Sequence, residues 1–103
     1  MNPFESWGKE SPETMKAFFD YATAIQNNCG LDEKTFQLCY IALQVHRGGT
    51  GSVRGHVAFA KRAGATKKEV MGAVLITLMT SGINGVAEYL EMVSEAYDAA
   101  PAE

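Results

Sequence analysis

Several features that would each declare a class are scarce or missing in this sequence. It holds two cysteines, three prolines and one tryptophan. Two cysteines, Cys29 and Cys39, cannot supply the disulfide framework of a small secreted domain. Both are read as reduced thiols, with Cys39 expected in the core as a small hydrophobe. The most apolar stretch, residues 70–79, is too short to span a bilayer and contains Gly72. Residues 1–8 have neither the charged start nor the apolar run of a secretion signal. The expectation is a cytoplasmic protein with no membrane partner. The two histidines, His46 and His56, have no cysteine beside them, so no metal site is expected.

What is present is ordinary globular material. A chain of 103 residues, 47% of them hydrophobic, fits one domain and excludes a disordered composition. A core of that size leaves a monomer only modestly stable, which favours association with further copies. The net charge of −3 is unevenly spread. Residues 34–68 carry Lys34, Arg47, Arg54, Lys61, Arg62, Lys67 and Lys68 and no acid, whereas residues 69–103 carry acids and no base. One reading is complementary helix surfaces meeting within or between subunits. The other is a central field that attracts a small anion. Nucleic acid is not an expected partner, because the acidic flanks would repel phosphate.

The pattern along the chain is helical. Residues 1–10 read as an N-terminal arm, with Phe4 and Trp7 as anchors, and residues 11–100 as one helical domain. Ser11-Pro12-Glu13 starts a helix through an N-cap, a proline in the first turn and an acid. Phe18, Tyr21, Ala22 and Ile25 follow at helical spacing until the 27–30 segment Asn-Asn-Cys-Gly. Asp32 caps a second helix running to about Arg47, with Phe36, Cys39, Tyr40 and Leu43 as its apolar stripe. The glycines around Thr50 break it. Ser52 is expected to cap a third helix that ends at Gly64. Thr66 and Glu69 form a capping box for a fourth helix, about residues 67–80, apolar on nearly every side and so expected at the centre or at a subunit interface. After a break at Gly82 and Gly85, a fifth helix carries Val86, Tyr89, Leu90, Val93 and Tyr97 on one side. No strand is expected; the predicted class is an all-α bundle of about five helices.

The chemistry-bearing candidate is His56. Val53, His56, Val57 and Ala60 share one face of the third helix, and Ser52 lies one turn before the imidazole. A half-buried imidazole near a helix N-terminus is kept neutral near pH 7, since the positive end of the dipole disfavours its charged form. Such a group can take or give a proton. The same pattern also describes a core histidine bonded to a carbonyl. His46, in the last turn of the second helix, reads as a partner of that helix's negative end. Ser52 with His56 suggests a nucleophile and base, yet no orienting third group is apparent.

Three segments within residues 31–97 carry a resemblance: residues 31–38 (Leu-Asp-Glu-Lys-Thr-Phe-Gln-Leu), residues 52–56 (Ser-Val-Arg-Gly-His) and residues 63–70 (Ala-Gly-Ala-Thr-Lys-Lys-Glu-Val). In these the chain resembles the carboxymuconolactone decarboxylase family, which includes the alkylhydroperoxidase D-like proteins. The resemblance implies an all-α alkylhydroperoxidase D-like fold that self-associates, from dimer to hexamer, with sites near subunit contacts. The peroxiredoxin-like branch carries a glutamate, a Cys-x-x-Cys pair and a histidine, and these slots fall at Gln37, Gly49, Ser52 and His56. Only the histidine remains. A thiol-based antioxidant oxidoreductase is therefore disfavoured, because that chemistry needs the sulfur itself. The decarboxylase branch uses a histidine in the same helix, without cofactor, on a small carboxylated lactone. The resemblance thus implies a cofactor-free lyase acting on a small anionic organic acid or lactone, with His56 catalytic; the residues expected to contact a substrate beside it are Gln37, Tyr40, Arg47 and Ser52. The alternatives are a catalytically inactive oligomeric binding or structural member, and a redox protein recruiting Cys39.

Overall fold

The computed structural model describes residues 2–49 and 51–102, so Thr50 of the glycine-rich break lies outside the described residues. Among the described residues the chain forms seven α-helices and no strand. They are α1 Pro3–Glu10, α2 Pro12–Asn28, α3 Glu33–Arg47, α4 Val53–Arg62, α5 Lys67–Leu75, α6 Leu78–Ser81 and α7 Asn84–Ala99. The chain divides into two compact units, Met1–Leu31 and Asp32–Glu103.

In the first unit, the segment read as an arm is a helix. Asn2 caps α1 by accepting from the Glu5 amide, and Pro3 occupies its first turn. Phe4 meets Phe19 at 5.5 Å and Trp7 meets Phe18 at 5.3 Å between ring centroids. The Trp7 indole donates to the Thr14 hydroxyl at 2.7 Å. Ser11 precedes α2 as expected, although its side chain makes no capping bond.

The second unit holds the core. Helix α3 packs on α4 and α5, and α7 packs on the same two helices from another side. Ile41 and Val45 of α3, Val53, Val57 and Ala60 of α4, Val70, Ala73 and Val74 of α5, and Tyr89, Val93 and Ala96 of α7 fill the space between them. Burying each of the larger side chains contributes about 1.5–3 kcal/mol. The helix boundaries are set by local chemistry. The Asp32 carboxylate accepts from the Thr35 amide, Gly48 closes α3 at φ 83°, and Thr66 and Glu69 complete a reciprocal capping box on α5. Gly64 takes φ 99° between α4 and α5, a conformation that favours glycine.

Three expectations are corrected. Cys39 is exposed rather than in the core. The buried face of α3 runs through Gln37, Ile41 and Val45, and Cys39 lies about 200° around the helix from Gln37. The helix expected over residues 67–80 is interrupted after Leu75. There the Thr77 hydroxyl donates to the Val74 carbonyl at 2.6 Å, and the Thr77 amide reaches the same oxygen at 3.1 Å. Back-bonding threonine of this kind tightens a turn and diverts the helix. Ser52 stands at the N-cap of α4 but makes no side-chain cap bond; its hydroxyl is engaged elsewhere.

Candidate functional site

The site begins with the register of two neighbouring helices. On α4, Val53, Val57 and Ala60 are fully buried, and His56 shares their face half-buried. On α3, the buried stripe brings Gln37 opposite His56. The His56 Nδ1 lies 2.6 Å from the Gln37 Oε1. An amide oxygen can only accept, so Nδ1 carries the ring proton and Nε2 holds the lone pair. Gln37 is only 3% exposed, which fixes this contact inside the helix interface.

Aromatic rings set the plane of the imidazole. Tyr40 stacks on His56 with centroids 3.6 Å apart and planes 14° apart. Phe59 meets it edge-on at 5.2 Å. Tyr40 follows Gln37 by nearly one turn of α3, so one helix supplies both the bonding and the stacking partner. Burial lowers the His56 pKa below its ordinary value of 6.5. Burial thus keeps the ring neutral at pH 7.

Ser52 is held by a second set of bonds. Its Oγ lies 2.8 Å from the Tyr40 hydroxyl and accepts from Gln44 Nε2 at 2.7 Å. His56 contacts Ser52 only through the backbone, amide to carbonyl, at 3.1 Å. No serine–histidine nucleophile pair is formed: Gln37 occupies the Nδ1 position, and Tyr40 and Gln44 occupy the hydroxyl. The structure thus brings together Gln37, Tyr40, Ser52 and His56. It does not bring Arg47 into this group. Arg47 is exposed at the end of α3 and lines a separate cavity of about 280 Å³ with residues of α7.

Sequence reasoning missed Gln44 and Phe59. The signal for Gln44 was its place one turn after Tyr40 on the same face. Phe59, three residues after His56, had the same kind of signal. Neither position belongs to a motif, so only helix neighbourhood points to it. His46 sits in the last turn of α3, as expected, and its Nδ1 is 3.1 Å from the Thr80 hydroxyl. No group of histidine, cysteine or acidic side chains able to hold a metal ion occurs among the described residues.

Gln37 and Ser52, two of the residues singled out beside His56 by the resemblance, both lie in this group, with Gln37 bonded to the imidazole. No curated protein and no solved structure matches the chain. Residues 12–95, however, match the model of the carboxymuconolactone decarboxylase family. With the match spanning most of the chain and the all-helical fold to accompany it, the protein belongs to the carboxymuconolactone decarboxylase family.

Proposed function

We propose that this protein is a cofactor-free acid–base catalyst acting on a small organic acid or lactone, with His56 as the group that moves the proton. The observation that carries this reading is the Gln37–His56 bond. It pins the proton on Nδ1 and leaves Nε2 as a base without a hydrogen-bond partner among the described residues. Tyr40 and Phe59 hold the ring in one orientation, which is what proton transfer at a fixed atom requires.

The chemistry follows from that arrangement. Nε2 takes a proton from the substrate, and the resulting imidazolium keeps its Nδ1 bond to the Gln37 oxygen and lies against the Tyr40 face. Because burial disfavours the charged ring, the imidazolium is a ready acid and gives its proton back. In a decarboxylation, the electron pair of the broken C–C bond stays on the substrate, carbon dioxide leaves, and this proton closes the new C–H bond. The Ser52 and Tyr40 hydroxyls are the polar contacts available to orient a substrate beside the ring. Gln37 cannot shuttle a proton as a carboxylate would, so its part is to position the ring. Thiol peroxidase chemistry is disfavoured, since Gly49 and Ser52 occupy the positions of the cysteine pair.

The test is a turnover screen over small carboxylates and lactones, wild type against His56→Gln. Turnover by the wild type should fall by roughly two to four orders of magnitude in the variant, with the fold intact. Absence of any wild-type turnover, joined to a stability loss of about 1–3 kcal/mol in His56→Gln, would favour the second reading. In it the protein is an inactive oligomeric family member whose histidine serves packing. The packing of His56 between the stacked Tyr40 ring and the edge-on Phe59 ring is the observation behind that alternative.

A further inference from the structure

Gln44 takes no part in moving a proton, yet it holds the two hydroxyls beside His56. It stands one turn after Tyr40 on α3. Its Nε2 donates to the Ser52 Oγ at 2.7 Å and reaches the Tyr40 oxygen at a longer 3.4 Å. The two hydroxyl oxygens are 2.8 Å apart. All three side chains are half-buried. The Tyr40 ring is the one stacked on His56, so a single tyrosine ties the hydroxyl pair to the imidazole.

Counting hydrogens gives this cluster a polarity. Serine and tyrosine each bring one hydroxyl hydrogen. The contact between the two oxygens uses one of them, whichever residue donates it. Neither can be spent on the Gln44 nitrogen, which is itself a donor. One hydroxyl hydrogen is therefore left over, and it has no acceptor among the described residues. When Tyr40 donates, Ser52 has filled both lone pairs and offers only its hydrogen. When Ser52 donates, the Tyr40 hydrogen is the free one. In both cases the pair meets a ligand as a donor.

That polarity depends on which way the Gln44 amide faces, and its far end decides the matter. A Cβ on Gly49 would lie 3.0 Å from the Gln44 Oε1 and 3.2 Å from the Arg47 Nη1. The amide oxygen and the guanidinium thus border one backbone position, which glycine leaves clear. An amide oxygen toward a guanidinium is the favourable orientation, since the reverse would turn N–H hydrogens toward a cation. We propose that Gln44 is a positioning residue that sets the Tyr40–Ser52 pair as a net donor. The site then selects a ligand group that only accepts hydrogen bonds over one that presents N–H donors. The inference rests on the reading of His56 as the reacting group, but concerns selection rather than proton transfer.

The test reads binding rather than turnover. The whole protein is titrated with sodium acetate, with acetamide, which has the same shape but is uncharged and carries N–H donors, and with methylammonium chloride. Ionic strength is held constant at about pH 8, where the histidine ring is neutral. NMR shifts of the Ser52 amide and the His56 ring report occupancy. Acetate should bind saturably and about tenfold more tightly than acetamide, the scale of a charge-assisted hydrogen bond; methylammonium should not bind. Gln44→Met keeps the side-chain length without the donors and frees lone pairs of the hydroxyls to accept from N–H groups. It should bring the two affinities to within about threefold of each other, whereas a packing role would lower both together and leave their ratio. Gln44→Glu replaces the donor by an acceptor that consumes the spare hydrogen, so acetate binding should vanish and methylammonium should bind. No saturable acetate binding, equal binding of acetamide by the wild type, or an unchanged ratio in Gln44→Met would overturn the proposal. Turnover lost in His56→Gln alongside such a failure keeps the acid–base reading and removes the donor pair. Acetate selection that responds to Gln44→Met, with no substrate turned over, does the reverse.

Discussion

At the scale of single residues, burial makes the folded His56 bind a proton less readily than the unfolded chain does. Just below pH 6.5 the unfolded state therefore holds more protons, and stability falls as the pH drops through that value toward the lower folded one. Above it, the contribution of His56 is full and flat. Denaturant melts across this range should show the loss in the wild type and its absence in His56→Gln. Gln37→Glu should reverse the sign. A carboxylate against Nδ1 favours the imidazolium and raises the His56 pKa, so its contribution is then present below the unfolded value and lost as the pH rises through the folded one. An unchanged pH slope in both variants would contradict the assigned environment. The sequence showed His56 on an apolar face because Val53, Val57 and Ala60 mark that face plainly. Its partners were harder to read. Gln37 was found through a motif slot, not through burial, since a glutamine interrupts the apolar stripe it belongs to. The same glutamine hides the burial of α3: apolar letters alone mark the face of Phe36, Cys39, Tyr40 and Leu43, whereas the buried face runs through Gln37, Ile41 and Val45.

Elements were legible where a cap or a left-handed glycine marks their ends. Asp32, Gly48, Gly64, Thr66 and Glu69 all act at the positions their chemistry predicts. The helix of residues 3–10 does carry signals, Asn2 before Pro3 and Phe4 and Trp7 one turn apart, but eight residues are too few for a periodic pattern to stand out. The interruption after Leu75 was hidden for another reason. A single threonine that bonds back to its own helix is weak in sequence and decisive in geometry. Thr66→Ala removes the acceptor of the Glu69 amide and breaks the reciprocal cap. The expected cost is about 1 kcal/mol of stability, read as a lowered denaturant midpoint with the slope unchanged. A loss within error of zero would mean that tertiary contacts alone define the start of α5.

Across the whole molecule, charge and apolar surface behave differently. The basic centre and acidic end of the sequence meet within the chain: Lys34 pairs with Glu69 at 3.0 Å and Lys67 with Asp98 at 2.9 Å. Lys61 donates to the Tyr97 and Ala100 carbonyls at the end of α7, each at 2.8 Å. These solvent-touched pairs add little stability but match the surfaces. Apolar surface is a different matter in the second unit. Leu75, Ile76, Leu78, Met79 and Ile83 remain exposed around α6, Met79 to 86%. We propose that this exposed apolar surface takes a second copy of the chain. Sedimentation at micromolar concentration should show a species heavier than the 11.1 kDa chain. Met79→Glu should return it to the monomer without loss of helix, because the side chain is not part of the core. A monomeric wild type would remove the idea.

The proposed chemistry needs one arrangement, a neutral imidazole protonated on Nδ1, bonded to Gln37, with no hydrogen-bond partner at Nε2 among the described residues. Nitrogen NMR of the histidine ring reports both the tautomer and the protonation state directly. At pH 7 the His56 ring should show a protonated Nδ1 and an unprotonated Nε2, and it should titrate only below 6.5. In Gln37→Leu, which removes the acceptor, the Nδ1 preference should fade. A ring charged at pH 7, or one whose proton sits on Nε2 in the wild type, would rule that chemistry out.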